Sequence, residues 1–349
     1  MKIAQVAPLV ESVPPTLYGG TERVVSWLTE ELVRQGHEVT LFASGDSRTT
    51  ARLEPIVPRA LRLQGIHDST PSSILTLDRV IARQREFDVL HFHIDFFQYP
   101  LFRNLSDRAL TTLHGRQDLP NLPAIYRAFP DMPLVSISDR QRPQMPELNW
   151  RGTVYHGMPR DLFRQGPGNG DYLAFLGRIC PDKGILPAIE IARLAGVPLK
   201  VAAKVDPADR DYFDRQVKPV LDMSPHVTFI GEIDDSRKQQ FLGEAKALLF
   251  PISWPEPFGL VMIESMACGT PVIAFDSGSV PEVMEEGMTG FVVDSIEEAA
   301  DAVGKVDRLC RTLIRSRFEK RFSVEAMARA YVKIYENLTA EETVAMAAE

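Results

Sequence analysis

The chain has 349 residues, is 44% hydrophobic and 25% charged, and carries a net charge of −8. That length exceeds what one hydrophobic core usually serves and predicts two domains. The acidic balance excludes nucleic acid as the main partner, because a phosphate backbone needs a basic footprint, while a local basic pocket for a small anion stays open.

The N-terminal "MKIAQVAPLVESVPP" has a single Lys, an apolar run broken by Gln5, and Glu11 close behind. It reads as a first β-strand (2–7) rather than a signal peptide. No stretch reaches the roughly 20 apolar residues that span a bilayer. "YGGTERVV" follows, with Gly19 and Gly20 opening a helix at Thr21. Exposed amides at a helix start favour an anion, and glycines let a phosphate approach. The spacing is not GxGxxG, so a dinucleotide fingerprint is not supported, and a plain flexible turn is an equal alternative. Val24, Val25, Leu28, Leu32 and Val33 recur at helical spacing over 22–36, and Gly36 ends the helix.

Short strands follow at 38–44, 88–93, 109–114, 133–138 and 152–157. Within "HFHID", His91, His93 and Asp95 alternate and share one face of a strand. They read as polar residues, satisfied or contacting an acceptor, in preference to a metal site. "GMPRDLFRQGPGNGD" (157–171) is rich in Gly and Pro, lacks periodicity and reads as a linker. The alternation then restarts with strands in "YLAFLGR", "PLKVAAK", "HVTFIGEI", "AKALLFPI" and "TPVIAFD" and helices between. Two βα series predict α/β architecture: two doubly wound Rossmann-like domains, 1–160 and 161–322, facing across a cleft. The amphipathic segment 323–338 is expected to fold back on the first domain, with "TAEETVAMAAE" fraying beyond it. Cys180, Cys268 and Cys310 form no CxxC, which speaks against a disulfide framework or zinc site and for a reducing cytoplasm.

"GRICPDKG" ends the first strand of the second series. Gly177, Arg178, Lys183 and Gly184 put a planar fork and a mobile ammonium at a strand's carboxyl end, a pair able to neutralise a diphosphate, in preference to two solvated surface cations. In "EPFGLVMIESMACGTP", Glu256 and Glu264 bracket a helix expected to begin near Phe258. Glu264 would lie about 9 Å along that helix, whereas a retaining glycosidase needs its carboxyls about 5–5.5 Å apart. The spacing suits two grips on a ligand, with one exposed and one incidental acid as the alternative. Amides of Phe258, Gly259, Leu260 and Val261 would face an anion between them. "RLCRTLIRSRFEKR" (308–321) is basic and reads as a solvated helix face rather than a lipid contact.

Taken in order, the Gly-Gly turn, the Arg178/Lys183 pair, the E-x7-E pair and "ACGTPVIAFDSGSVPEVMEEGMTGFVV" resemble glycosyltransferase family 4, the retaining GT-B group. "PPTLYGGTERVVSWLTEELVRQGHEVTLFASGDS" is similar to a short bacterial branch that includes UDP-glucose:tetrahydrobiopterin glucosyltransferases. The resemblance implies a retaining hexosyltransferase that uses a UDP-sugar, most simply UDP-glucose, as donor substrate, without metal or cofactor. It implies catalytic work for His114, Arg178, Lys183 and Glu256. Donor contacts would come from Gly19, Gly20, Gly177, Glu232, Ile233, Phe258, Gly259, Leu260, Val261 and Glu264. The acceptor, a small molecule or a lipid-linked sugar, would meet Tyr18, His93 and Asp95. His156-Gly157 departs from the Asn-Gly that many members carry, which puts a borrowed hinge contact in doubt. A cytoplasmic enzyme, at most peripheral at the inner membrane face, is expected. Two other readings compete: a UDP-sugar 2-epimerase of the same architecture, and a non-catalytic nucleotide-sugar binder.

Overall fold

The computed structural model describes residues 1–16, 19–143 and 145–348. It divides into two units, residues 1–159 with 323–349 and residues 160–322. In the first unit the strands are β1 (Lys2–Val6), β2 (Glu38–Ser44), β3 (Arg52–Val57), β4 (Val89–Phe92), β5 (Ala109–Leu113), β6 (Leu134–Ser136) and β7 (Trp150–Thr153). They form one parallel sheet in the order β3-β2-β1-β4-β5-β6-β7. The second unit holds β8 (Leu173–Arg178), β9 (Leu199–Lys204), β10 (Val227–Gly231), β11 (Ala247–Phe250), β12 (Val272–Phe275) and β13 (Gly290–Val293). Its order, β10-β9-β8-β11-β12-β13, repeats the same winding, again all parallel. Both units are therefore Rossmann-like, as the βα alternation predicts.

Central strands such as β5 and β11 are buried at every position. Helices cover both faces of a parallel sheet, so its strands read as continuous apolar runs. One core gathers around Leu173, Phe175, Val201, Leu249 and Ile273 in the second unit, another around Val6, Leu90, Phe92, Tyr99 and Leu113 in the first.

The structure departs from the sequence reading in several places. Strand β3 was not anticipated: "RLEPIV" contains Pro55, which a ladder tolerates at an edge, and β3 is an edge strand. The edge strand β13 is absent from the sequence reading, its positions after Gly290 being only partly buried. The strand expected over 152–157 runs over Trp150–Thr153. The final helix, Val324–Ala348, continues through the segment expected to fray.

The basic stretch also differs. On the helix Arg311–Arg321, Arg311 donates to the carbonyls of Gly243 and Ala245, Arg315 to those of Phe163 and Ala267, and Arg321 to that of Glu282. Loop and helix ends leave carbonyls unpaired, and a guanidinium has donors to spare. These three side chains bind their own unit rather than standing as a solvated face. Among the described residues, no helix is long and apolar enough to cross a membrane.

Candidate functional site

In a doubly wound sheet the strand order reverses at one point, and ligands bind at the carboxyl ends of the strands there. In the second unit that point lies between β8 and β11. Arg178 ends β8, and Lys183 closes the short turn Pro181–Lys183 beyond it. Gly184 follows at φ +73°, where an added Cβ would stand 1.9 Å from the carbonyl oxygen of Pro251. Only glycine allows that approach. It brings the loop after β8 onto the loop after β11, where Ser253 N–H donates to the Asp182 carbonyl at 3.1 Å.

The result is an ion pair between Lys183 and Glu256. The ammonium also lies 5.0 Å from the ring of Trp254 and 5.9 Å from that of Phe250. Glu256 is held by its backbone: its N–H donates to the Trp254 carbonyl at 2.8 Å, and its own carbonyl accepts from Ser279 N–H at 2.9 Å. Gly278 passes so close that an added Cβ would fall 2.3 Å from the Glu256 backbone. Arg178 pairs with Asp209 at 3.4 Å.

Past Glu256 the helix spans Leu260–Ala267, two residues later than expected, with Gly259 in the left-handed conformation before it. Phe258 therefore belongs to the entering loop, where its carbonyl accepts from the Ser279 hydroxyl at 2.8 Å. Leu260 and Val261 open the first turn. Glu264 sits in the next turn, about 6 Å along the axis from Leu260. It is buried and takes a 2.8 Å hydrogen bond from Lys238 Nζ, which lies 3.4 Å from Asp235. Each of the two acids thus has its own lysine. Gly177 lies in β8 with open space where a Cβ would be, so its lack of a side chain leaves room beside the strand. Glu232 is exposed and Ile233 buried just past β10, the edge strand two places from β8.

The first unit reverses between β1 and β4. A pocket of ≈ 310 Å³ opens there, lined by Ala7 and Pro8 after β1, His93 and Asp95 after β4, His114 after β5, and Thr21 of the helix Gly20–Arg34. Gly19 precedes that helix in extended backbone, φ 168°. Tyr18 lies outside the described residues. Asp95 adopts φ +55°, a left-handed conformation uncommon outside glycine that Asp, Asn and His adopt more readily than other side chains. Burial pushes its carboxyl up to about 6.

Behind this pocket the polar groups form a neutral network. His91 Nε2 lies 2.7 Å from Thr112 Oγ1, and its Nδ1 lies 2.7 Å from Tyr335 Oη. His93 bridges Gln5 Oε1 at 2.7 Å and His114 Nε2 at 2.8 Å. His156 stacks on His114 with ring centroids 5.2 Å apart. Burial holds His91, His93 and His156 well below the usual imidazole range and brings His114 down to about 3. The shared strand face expected for His91, His93 and Asp95 is not formed: β4 ends at Phe92, both histidines point into this network, and Asp95 lies in the turn beyond, where its left-handed backbone breaks the alternation. Among the described residues, no group of three His, Cys, Asp or Glu side chains is arranged to hold a metal ion.

Sequence reasoning did not single out Lys238, Asp209, Trp254 or Gln5. Lys238 and Asp209 stand in charge-rich segments that look like solvent-facing surface. Trp254 carried a signal, as an aromatic beside the acid loop that could shelter an ammonium. Gln5 carried one too: an amide inside an apolar parallel strand must find buried partners.

Residues 18–143 match the family described as Glycosyltransferase Family 4, and residues 161–321 match Glycosyl transferases group 1. The chain is 24% identical to phosphatidyl-myo-inositol mannosyltransferase of Mycobacterium leprae (strain TN), over 97% of each chain. Over 45% of its length it is 33% identical to D-inositol 3-phosphate glycosyltransferase of Mycobacterium bovis (strain BCG / Pasteur 1173P2), of which it spans only 36%. It likewise spans 46% of an uncharacterized 41.2 kDa protein from the cps region of Klebsiella pneumoniae. Among solved structures it resembles AviGT4, a glycosyltransferase involved in avilamycin A biosynthesis, with TM-score 0.75, 24% identity and coverage of 97% and 98%. It also resembles Anabaena Alr3699/HepE in complex with UDP and glucose, with TM-score 0.73, 19% identity and coverage of 97% and 100%.

Proposed function

The chain belongs to the GT-B-type glycosyltransferases, and from that premise we propose that it moves a hexose from a UDP-sugar to an acceptor hydroxyl with retention of configuration. The observation that carries this reading is the set of two acids beyond the carboxyl end of β11, each on its own lysine, Lys183 from beyond β8 and Lys238 from beyond β10. A nucleotide sugar has the matching layout: sugar hydroxyls at one end, ribose hydroxyls at the other, and a diphosphate between.

In this reading Glu256 accepts hydrogen bonds from the sugar and Glu264 from the ribose. The amides of Phe258, Gly259, Leu260 and Val261, with Arg178 and Lys183, face the diphosphate. As the bond from the anomeric carbon to phosphate oxygen breaks, negative charge builds on that oxygen, and these fixed donors stabilise it. The acceptor hydroxyl attacks from the same face, and its proton passes to the departing phosphate. Lys183 holds the Glu256 carboxylate in an ion pair, so Glu256 serves as a grip and not as a nucleophile. The positive charge comes from side chains, and metal is not required. The first unit's pocket receives the acceptor, with Asp95 as a polar contact; His93, expected beside it, has both ring nitrogens engaged by Gln5 and His114.

The UDP and glucose bound to the Anabaena protein support UDP-glucose as the first donor to test, and the name of the M. leprae relative adds mannose donors to the panel. Acceptors to test include tetrahydrobiopterin, inositol and lipid-linked sugars. The decisive experiment incubates the protein with labelled UDP-glucose, other nucleotide sugars and a cell extract, followed by mass spectrometry and NMR of the product anomer. Retained configuration and unchanged rates in EDTA are expected. An inverted product, or a covalent glycosyl-Glu256 species, would overturn the mechanism. Epimerisation of UDP-GlcNAc without acceptor would replace it with the epimerase.

A further inference from the structure

A continuous line of buried polar groups runs through the first unit from its last helix to the pocket. Tyr331 Oη lies 3.0 Å from Thr112 Oγ1, which lies 2.7 Å from His91 Nε2. His91 Nδ1 lies 2.7 Å from Tyr335 Oη, and Gln5 Nε2 donates to that same hydroxyl at 3.2 Å. Gln5 Oε1 lies 2.7 Å from His93 Nε2, and His93 Nδ1 lies 2.8 Å from His114 Nε2. His114 Nδ1 is buried with no hydrogen-bond partner among the described residues, on a ring that lines the pocket.

The protons along this line are not independent. An amide oxygen can only accept, so His93 Nε2 must carry the hydrogen it donates to Gln5 Oε1. A neutral imidazole has one N–H, so His93 Nδ1 is then a lone pair. Facing that lone pair, His114 Nε2 must carry a hydrogen and donate it. The neutral His114 ring then has no hydrogen left for Nδ1. The other side of Gln5 follows from the same orientation of its amide. Its amide N–H donates to Tyr335, whose hydroxyl donates to His91 Nδ1, leaving His91 Nε2–H to donate to Thr112. With the Gln5 amide in this orientation every link is satisfied in one direction, and with the amide turned over every link reverses.

We propose that Gln5 and His93 are positioning residues that fix the tautomer of His114, so that its Nδ1 is an obligatory acceptor and selects a substrate group that donates a hydrogen bond, a hydroxyl or N–H. The selection rests on the reading of the first-unit pocket as a substrate site, whereas the tautomer does not. Burial supports the neutral state of both rings, which the argument needs near neutral pH. An ether, a fluorine or a carbonyl presented to His114 Nδ1 would meet lone pair with lone pair. A buried polar group left unpaired is how a site rejects a near-isostere.

The first test is long-range ¹⁵N–¹H NMR of the full chain labelled at its 7 histidines, with resonances assigned by single substitutions. The expected pattern is a pyrrole-type Nε2 and a pyridine-type Nδ1 at both His93's Nε2/Nδ1 pair and His114's. A pyrrole-type Nδ1 on His114 would mean that the Gln5 amide faces the other way, and it overturns the proposal. The second test is Gln5→Glu. Its carboxylate still accepts from His93 but also draws a second proton onto that ring. The imidazolium then donates from Nδ1 and reverses the link to His114. Turnover within about threefold of the parent at pH 8.5 and a roughly tenfold fall by pH 6, absent in the parent, is expected. A pH profile parallel to the parent's overturns the role of Gln5. The third test measures binding of UDP-glucose and candidate acceptors against their deoxyfluoro and O-methyl forms. At least about a tenfold loss at one position is expected. Loss in the UDP-sugar series or in the acceptor series tells which substrate supplies the donor. Equal binding throughout, with the tautomer as expected, leaves the tautomer standing and removes the pocket from substrate recognition.

Discussion

The two units wind their sheets in the same order, yet the same topological point carries opposite chemistry in each. In the second unit it is built of full charges, with Lys183 on Glu256, Lys238 on Glu264 and Arg178 near Asp209. In the first it is backed by neutral imidazoles, hydroxyls and an amide, with one carboxyl that burial makes reluctant to ionise. Topology therefore decides where a ligand binds, and side chains decide what it must be. A charged end suits a diphosphate with hydroxyls at each side. A neutral, hydrogen-bonded end suits an uncharged polar group.

The contrast can be broken most strongly in the second unit. Arg178→Ala and Lys183→Ala should each lower kcat by at least about 100-fold, the scale of losing a partner to transition-state charge. Near-normal turnover in both would show that the charges there are structural. Gly184→Ala should cost about 2–4 kcal/mol in urea unfolding, because the new Cβ collides with Pro251 at a positive φ. Gly177→Ala, with nothing within 4 Å of the new atom, should stay within about 0.5 kcal/mol. If the two variants unfold alike, the loops are not held as described.

Glu264→Gln should raise the KM for the donor about tenfold with little change in kcat, as expected for a lost ground-state grip. An unchanged KM would remove Glu264 from the ribose. The first unit predicts a smaller effect with a definite sign. His91, His93, His114 and His156 are all held below their ordinary value of 6.5, so the unfolded chain takes up protons that the folded chain refuses. Stability is then lost as pH falls below about 6.5. Asp95 acts oppositely: raised from 3.8 to about 6, it stays protonated in the folded chain while the unfolded chain ionises, so it costs stability as pH rises through that window. Four groups outweigh one, and the urea midpoint should be lower at pH 5 than at pH 7. Asp95→Asn should steepen that difference slightly by removing the opposing contribution. A midpoint that does not move with pH would mean the imidazoles are not buried neutral.

Much of this molecule was legible in the sequence. Continuous apolar runs alternating with helical periodicity gave two doubly wound units, because parallel strands buried on both faces leave that mark. Arg178, Lys183, Glu256 and Glu264 stood out because full charges beside glycines at strand ends have few structural uses. Strand β3 was hidden by Pro55 and by its edge position, where burial is partial. The partnerships were not legible at all. Nothing local joins Lys183 to Glu256, 73 residues away, or Gln5 to Tyr335, 330 away. The basic helix Arg311–Arg321 misled for the same reason, since the carbonyls that its arginines bind belong to distant loops. Residue type and period determined the winding and the kind of charge each loop could offer. Only the tertiary structure decided which charge meets which, because pairing depends on backbones brought within a few ångströms by glycines such as Gly184 and Gly278. The direction of a buried proton line depends on every group along it at once.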